Sequence, residues 1–309
     1  LFGLQEKPSH LLIIGAGPIG IEMAQAHARL GCRVTVLEAD HALRHEDPEA
    51  AAIVLDRLRS EGVEIYEKVA VDSVSGGDEG VTVSLVGGRK IAGSHLLVAA
   101  GRKSNIEALG LDLAGIRSGQ SIEVDRGLRT ANRRVYAIGD VTGAPHFTHR
   151  AGYQAGLVVR SALFGLPAKE RPEILPRVTF TEPELGQVGL TEAEASTKHG
   201  EALTVLRSEY SGNDRAQALG ETNGFIKVMV VRGRPVGVTI VGHGAGEILS
   251  MWALAIGSGM KISTIATTVL PYPTLAEIGK RAAGTYFSER LFDSPWIKRA
   301  VRLVQKALP

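Results

Sequence analysis

The sequence predicts an α/β fold, with a βαβαβ series opening the chain and an α+β layer closing it. Three observations carry this. Leu11-Leu12-Ile13-Ile14 is a short, wholly apolar run ending in glycine, the pattern of a strand buried on both faces of a parallel sheet. Helical periodicity follows at once, with Ile19, Met23, Ala26 and Leu30 at spacings of three and four and Gly31 as a C-terminal stop. After three prolines, Pro167, Pro172 and Pro176, strand patterns and helical patterns alternate again as a second layer.

The elements follow in order. Arg33 to Glu38 alternates as a second strand, Pro48 to Glu61 reads as a helix, and Val63 to Tyr66 as a third strand. Between Val69 and Ala99 short strands punctuated by Gly76-Gly77 and Gly87-Gly88 suggest an antiparallel meander, which the strand His95 to Ala99 closes. A buried strand, Val135 to Ile138, and an amphipathic helix, His149 to Phe164, precede the proline-rich linker. Beyond it, strands at Thr204 to Tyr210, Phe225 to Val231 and Pro235 to Val241 alternate with helices near Gly246 to Ser258 and Pro273 to Phe287.

Composition removes several function classes. The 309 residues are 44% hydrophobic and 22% charged, which suits globular domains and argues against disorder, collagen or a coiled coil. A net charge of +2 leaves no electrostatic footprint for nucleic acid. The single cysteine, Cys32, excludes an intramolecular disulfide and a thiolate metal cluster and fits a reducing compartment. With no apolar run of membrane-spanning length and no leader pattern, the expected location is the cytoplasm. The chain opens at Leu1 without methionine, and a piece of a longer protein is expected. Glycine is abundant, 37 residues, so many close backbone approaches are implied.

One cluster of glycines carries chemistry. Gly15-Ala16-Gly17-Pro18-Ile19-Gly20 fills the GxGxxG pattern between strand and helix. Gly15 permits the tight turn, Gly17 lets the backbone approach a pyrophosphate, and Gly20 lets the helix lie close to the sheet, while the helix N-terminus offers N–H groups. Glu38 ends the second strand about 20 residues on, where a carboxylate accepts both ribose hydroxyls of an adenosine and repels a 2′-phosphate. NAD is favoured over NADP, although Arg33 and Arg44 lie near enough in sequence to weaken that preference.

Further motifs make a resemblance specific. Gly15 to Ala24 with Glu22, then Val98-Ala99-Ala100-Gly101-Arg102, then Val135-Tyr136-Ala137-Ile138-Gly139-Asp140-Val141, together with Thr181-Glu182-Pro183-Glu184, Val188-Gly189-Leu190-Thr191 and Pro273-Thr274-Leu275-Ala276-Glu277, resemble the pyridine nucleotide-disulfide oxidoreductases, lipoamide dehydrogenase and mercuric reductase among them. The resemblance covers nearly the whole chain, in order. It implies a Rossmann-like NAD-binding domain over 1–125, the C-terminal part of an FAD-binding domain over 126–170, and an α+β dimerisation domain over 171–309. By position, Glu22 would lie by the nicotinamide, Val69 near the adenine, and Gly101 and Arg102 along the cofactor's path. Gly139 and Asp140 would take the place of the family's second flavin motif, in which the aspartate accepts from a ribityl hydroxyl. A homodimer through the C-terminal domain is implied, and NAD and FAD as cofactors.

Two departures qualify the resemblance. The family's first flavin-binding glycine motif and its redox-active cysteine pair have no counterpart here, and Cys32 reads as a buried, inert thiol. At position 272 the family's disulfide reductases carry a histidine base oriented by a glutamate. Here Glu277 remains, but Tyr272, a poor base at neutral pH, replaces the histidine. Tyrosine in this region is similar to the mercuric reductases, whose C-terminal cysteine pair is also absent. The expected function is therefore the C-terminal portion of an oxidoreductase passing hydride from NADH to FAD and on to an unidentified acceptor, with this chain alone inactive. A flavoprotein without redox cysteines, of transhydrogenase or quinone reductase type, and a non-catalytic nucleotide-binding or dimerising module are the alternatives.

Other candidates are bland. His41 with His45, and His146 with His149, have helical spacing but no third metal ligand, and read as solvated or flavin-lining. Leu291-Phe292, Trp296-Ile297, Val301 and Leu303-Val304, interleaved with Lys298, Arg299, Arg302 and Lys306, would make a basic amphipathic helix. Such a helix can lie on a membrane surface. The shortness of the segment favours packing on its own domain instead.

Overall fold

In a computed structural model, which describes residues 3–77, 80–292 and 295–307 (with the side chains of 289–292 outside the description), the opening βαβαβ series is present. Strands β1 (His10–Ile14), β2 (Arg33–Leu37) and β3 (Glu64–Tyr66) alternate with helices α1 (Pro18–Arg29) and α2 (Pro48–Ser60). The sheet is parallel, in the order β3-β2-β1-β7, with β7 at His95–Val98. Leu11, Leu12 and Ile13 are buried, as the apolar run requires. Asp47 starts α2 by accepting from the N–H groups of Glu49 and Ala50, and Gly31, at φ +83, takes the chain out of α1.

Two expectations here are corrected. The buried face of α1 is Gly20, Ile21, Ala24, Gln25 and His27, whereas Ile19 and Leu30 are exposed. Gly20 must face the preceding turn, and the buried face lies roughly 140° round the helix from the stripe the spacings suggested. Nor does the strand at His95 close the meander: β7 pairs with β1 in the parallel sheet. The meander itself is β4 (Val71–Gly77), β5 (Gly80–Leu85) and β6 (Lys90–Gly93), antiparallel throughout. Gly87 and Gly88, both at positive φ, turn β5 into β6.

The C-terminal layer is a five-stranded antiparallel sheet in the order β10-β11-β12-β9-β8, built from β8 (Arg177–Thr179), β9 (Glu184–Gly189), β10 (Leu203–Glu209), β11 (Phe225–Val231) and β12 (Arg234–Gly242). Arg232 and Gly233, at φ 50 and 73, form the two-residue turn that the twist of a β11–β12 hairpin favours. Helices α4 (Glu192–His199), α6 (Ala245–Gly257) and α8 (Glu277–Phe292) pack on it, with α5 (Asp214–Leu219) after β10 and α7 (Ile262–Thr267) against α8. Strands β8 and β9 are not legible in the sequence, because β8 is only three residues long and Gly186 interrupts the pattern of β9. Residues 1–100 and 176–309 form one compact unit, and Leu185, Phe225 and Val241 of the sheet join the core that β1, β2, α1 and α2 enclose. Cys32 is buried in that core.

Residues 101–175 form a second compact unit, so the expected division at 125/126 falls inside it. Here the expected strand Val135 to Ile138 is corrected. Among the described residues it makes a single bridge, Arg129 with Tyr136, because the unit offers it no neighbouring strand. Helix α3 (Thr148–Phe164) forms as expected, but its buried residues are Arg150 and Gln154, while Val159, Leu163 and Phe164 stay exposed. The expectation that the C-terminal segment packs on its own domain is also corrected: helix α9 (Pro295–Ala307) has no buried residue. Leu291 and Phe292, part of the same expectation, have side chains outside the description.

Candidate functional site

Between β1 and α1 the three glycines serve different ends. Gly15 has φ +101, and a Cβ there would lie 2.6 Å from the Ala99 carbonyl oxygen. A Cβ on Gly20 would run into the carbonyl oxygen of Gly15. Packing of the turn on β7 and of α1 on the turn thus excludes side chains at both positions. At Gly17, φ is an ordinary −73 and an added Cβ meets nothing within 4 Å. Its bareness leaves space in front of α1, whose start has no side-chain cap and no acidic residue in its first turn. A phosphate group fits such a place, since the N–H groups and the positive dipole end are otherwise uncompensated.

Glu38 follows β2 beside this turn. Its Oε2 accepts from the Ala16 N–H at 2.7 Å and its Oε1 from the Asp40 N–H at 3.0 Å. Two backbone donors fix the carboxylate while lone pairs remain on each oxygen for hydroxyl donors. Arg33 and Arg44 are each committed to carboxylates of their own, Glu64 at 2.8 Å and Asp40 at 3.2 Å. The Val69 N–H donates to the Glu38 carbonyl at 2.9 Å, and its side chain packs on the cluster of Leu12 and Leu37.

Glu22, on α1, accepts from the Phe180 N–H through Oε1 at 2.8 Å. Burial raises its carboxyl above the ordinary range, and the bond from Phe180 works the other way. Gln25 ties the same stretch down, donating to the Glu182 carbonyl at 2.8 Å and accepting from the Glu182 N–H at 2.7 Å. Sequence reasoning missed Gln25, because its partner lies 157 residues away.

In the second unit, Gly139 stands at φ +73 at the start of a 3₁₀ turn containing Asp140. Its N–H donates to Gln154 Oε1 at 2.6 Å, Gln154 donates to Glu170 at 2.9 Å, and Glu170 accepts from Arg150 Nε at 2.9 Å. Arg150 also donates to the Gly143 carbonyl at 2.6 Å. This hydrogen-bonded chain, charge-assisted at Glu170 and Arg150, holds the Gly139-Asp140 turn. The signal that could have found it is Arg150 and Gln154 one helical turn apart on α3. The Asp140 carboxylate meets Arg102 loosely, at 3.4 Å, and both side chains are about half exposed. Gly101, at φ +131, precedes Arg102 in open space.

Tyr272 is 70% exposed, and its O–H donates to Asp214 Oδ2 at 2.9 Å. Asp214 also faces Arg281 at 3.9 Å. Glu277 does not bond Tyr272; its Oε2 accepts from the Thr274 N–H at 3.4 Å, at the start of its own helix. The structure therefore gives Tyr272 a different carboxylate partner, one that sequence reasoning missed. With its proton on Asp214, the phenol offers an acceptor oxygen outward rather than a donor, and its pKa is raised, first by this hydrogen bond and then by the Asp214 charge. Asp214→Asn should lower the Tyr272 phenol pKa. The ring-carbon NMR titration of labelled tyrosine, with the resonance assigned by its loss in Tyr272→Phe, reads this directly; an unmoved titration would count against the contact.

Among the described residues no group of three His, Cys, Asp or Glu side chains could hold a metal ion. His41 faces Glu67 at 3.7 Å, His45 accepts from Arg44 at 3.1 Å, and His149 stacks on Phe147 at 5.0 Å.

Residues 1–155 match the family described as pyridine nucleotide-disulphide oxidoreductase, and residues 175–283 match the dimerisation domain of the same family. Mercuric reductase of Streptomyces lividans is 36% identical, over 93% of this chain and 62% of its own length. Dihydrolipoyl dehydrogenase of Geobacillus stearothermophilus is 35% identical, over 91% of this chain and 61% of its own length. Among solved structures, LpdA from Mycobacterium tuberculosis superposes with a TM-score of 0.88 at 30% identity, covering 93% of this chain and 63% of that one. The HOCl-induced flavoprotein disulfide reductase RclA from Escherichia coli gives 0.83 at 29% identity, covering 91% and 66%. The chain thus spans less than two thirds of the length of the curated relatives it matches.

Proposed function

Because this chain belongs to the pyridine nucleotide-disulphide oxidoreductases, whose members bind FAD and a pyridine nucleotide, we propose that it is the nucleotide-binding and dimerising portion of an oxidoreductase that draws on NADH and FAD. The observation that carries this reading is Glu38, fixed by the Ala16 and Asp40 N–H groups beside the bare Gly17. When bound, the two cofactors supply hydride transfer, and the protein's share is to bind, orient and shield them. The uncapped start of α1 would take the pyrophosphate and Glu38 the ribose hydroxyls. Glu22, anchored to Phe180, would stand by the nicotinamide, with Gly101 and Arg102 along the cofactor's path. Asp140 would accept from a hydroxyl of the flavin's ribityl chain, its turn held by Gln154, Glu170 and Arg150.

Residues 1–125 are read as the NAD-binding domain, 126–170 as the C-terminal part of the FAD-binding domain, and 171–309 as the dimerisation domain, through which two copies of the chain pair. Tyr272, with its proton committed to Asp214, supports an acceptor that needs no thiol base, such as a transhydrogenase or quinone reductase of this fold would use, and Glu277 would act through its helix start rather than on Tyr272.

Glu38→Ala should weaken NADH by about tenfold, the scale of one lost charge-assisted pair, and, by removing the charge that repels a 2′-phosphate, leave NADPH bound more tightly than before. Fluorescence titration of both nucleotides against both proteins reads the gap. An equal loss for the two nucleotides would remove Glu38 from its role.

A further inference from the structure

Among the described residues, helix α9 (Pro295–Ala307) is the most sharply two-faced helix, and nothing in the proposed nucleotide chemistry uses it. The match to the dimerisation domain ends at residue 283, before α9 begins. At about 100° per residue, Trp296, Ala300, Val301, Leu303 and Val304 fall within an arc of roughly 160°. Trp296 is 77% exposed and Leu303 69%, and no residue of the helix is buried.

The opposite face carries Lys298, Arg299, Arg302 and Lys306, and the helix has no acidic residue. Among the described residues none of these four cations makes an ion pair, and Arg299 instead lies over the Trp296 ring at 5.7 Å. Lys298 and Arg299 stand at the two margins of the apolar arc, where long stems can lie on apolar surface while their charges reach outward. Two copies of α9 packed arc to arc would cover the apolar residues but leave all eight cations without a counter-charge. The charge calls for a dense anionic surface and the apolar arc for a shallow apolar layer beneath it.

We propose that α9 docks this protein on the surface of an anionic lipid bilayer. The helix, about 20 Å long, lies in the plane of the headgroups with Trp296, Leu303 and Val304 sunk to the acyl boundary. It does not cross: among the described residues no helix is long and apolar enough to span a membrane. Attraction to acidic headgroups adds to the burial of the apolar arc, so binding depends on both lipid charge and salt.

Vesicles test this with the chain as it stands. The protein should co-float with vesicles of mixed phosphatidylglycerol and phosphatidylcholine, scarcely with phosphatidylcholine alone, and should be released as salt rises. Of the two tryptophans, Trp252 is 0% exposed and already in apolar surroundings, so a blue shift of the emission on binding reports Trp296. Trp296→Phe should lose the shift and still bind. The double variant Lys298→Gln/Arg302→Gln, on an exposed helix that leaves the thermal transition unmoved, should partition roughly thirtyfold more weakly. Equal binding to neutral and anionic vesicles, parental binding by the double variant, or no binding to any vesicle would overturn the proposal, the last leaving α9 to a protein groove.

Discussion

Gly17→Ala should leave the thermal transition within about 2 °C of the parent and yet weaken NADH binding tenfold or more. The argument is one of empty space. An added methyl at Gly17 meets no protein atom within 4 Å, and φ −73 is open to any residue. The fold therefore feels only the small loss of replacing glycine by alanine at an N-cap, below about 1 kcal/mol. A pyrophosphate approaching the first N–H groups of α1, by contrast, would meet that methyl. Gly20→Ala provides the contrast, because its methyl would strike the Gly15 carbonyl and must displace the helix. It should lower stability and binding together. Calorimetric titration and thermal denaturation of the two variants separate these effects, and a Gly17→Ala protein that binds NADH normally would show that the open space is not where the pyrophosphate goes.

Lys227→Met should destabilise the protein by about 3 kcal/mol, a fall in Tm of roughly 6–10 °C. Lys227 sits in the middle of β11 with its side chain 10% exposed, and its Nζ meets Asp47 at 3.1 Å, Glu49 at 2.9 Å and Glu192 at 2.9 Å. Asp47 is only 3% exposed and already caps α2, so without the ammonium a buried carboxylate stays behind uncompensated. Burial works to lower the Lys227 pKa, and the bonds from Glu49, Glu192 and Asp47 outweigh it and hold the charge. Glu49 is pulled down to about 2, first by Arg207 and then by Lys227. A carboxylate with a depressed folded pKa stabilises above its ordinary value near 4.5 and loses that contribution as pH falls toward 2. The parent should therefore lose stability across that window, and the variant should lose less. Urea unfolding at pH 7 and pH 3 measures both, and a variant as stable as the parent would make the cluster dispensable.

What the sequence reveals and conceals follows from where each determinant lies. The parallel strands were legible because burial on both faces forces an unbroken apolar run, as in Leu11 to Ile14. The GxGxxG turn was legible because its sterics are local. The face of α1 was not, since Gly20's contact with the Gly15 carbonyl, rather than the apolar stripe, decides its rotation. Lys227 passes in sequence for a lone charge in an apolar strand; Asp47 and Glu49 lie about 180 residues away and only packing brings them to it. The same holds for Tyr272, whose replacement of a histidine was plain but whose partner Asp214 is set 58 residues earlier. The strand expected at Val135 had the right residues and lacked neighbours, because a strand needs a ladder as well as a pattern. Helix α9 was legible as amphipathic, and only its exposure shows that its own domain does not cover it.

The central claim is that Glu38 and the glycine turn make a site for NADH. Side-by-side calorimetric titration of the unmodified chain with NADH and NADPH tests it most directly. NADH should bind at least tenfold more tightly, because the Glu38 carboxylate accepts ribose hydroxyls and repels a 2′-phosphate. Tighter binding of NADPH, or no binding of either nucleotide, would contradict it.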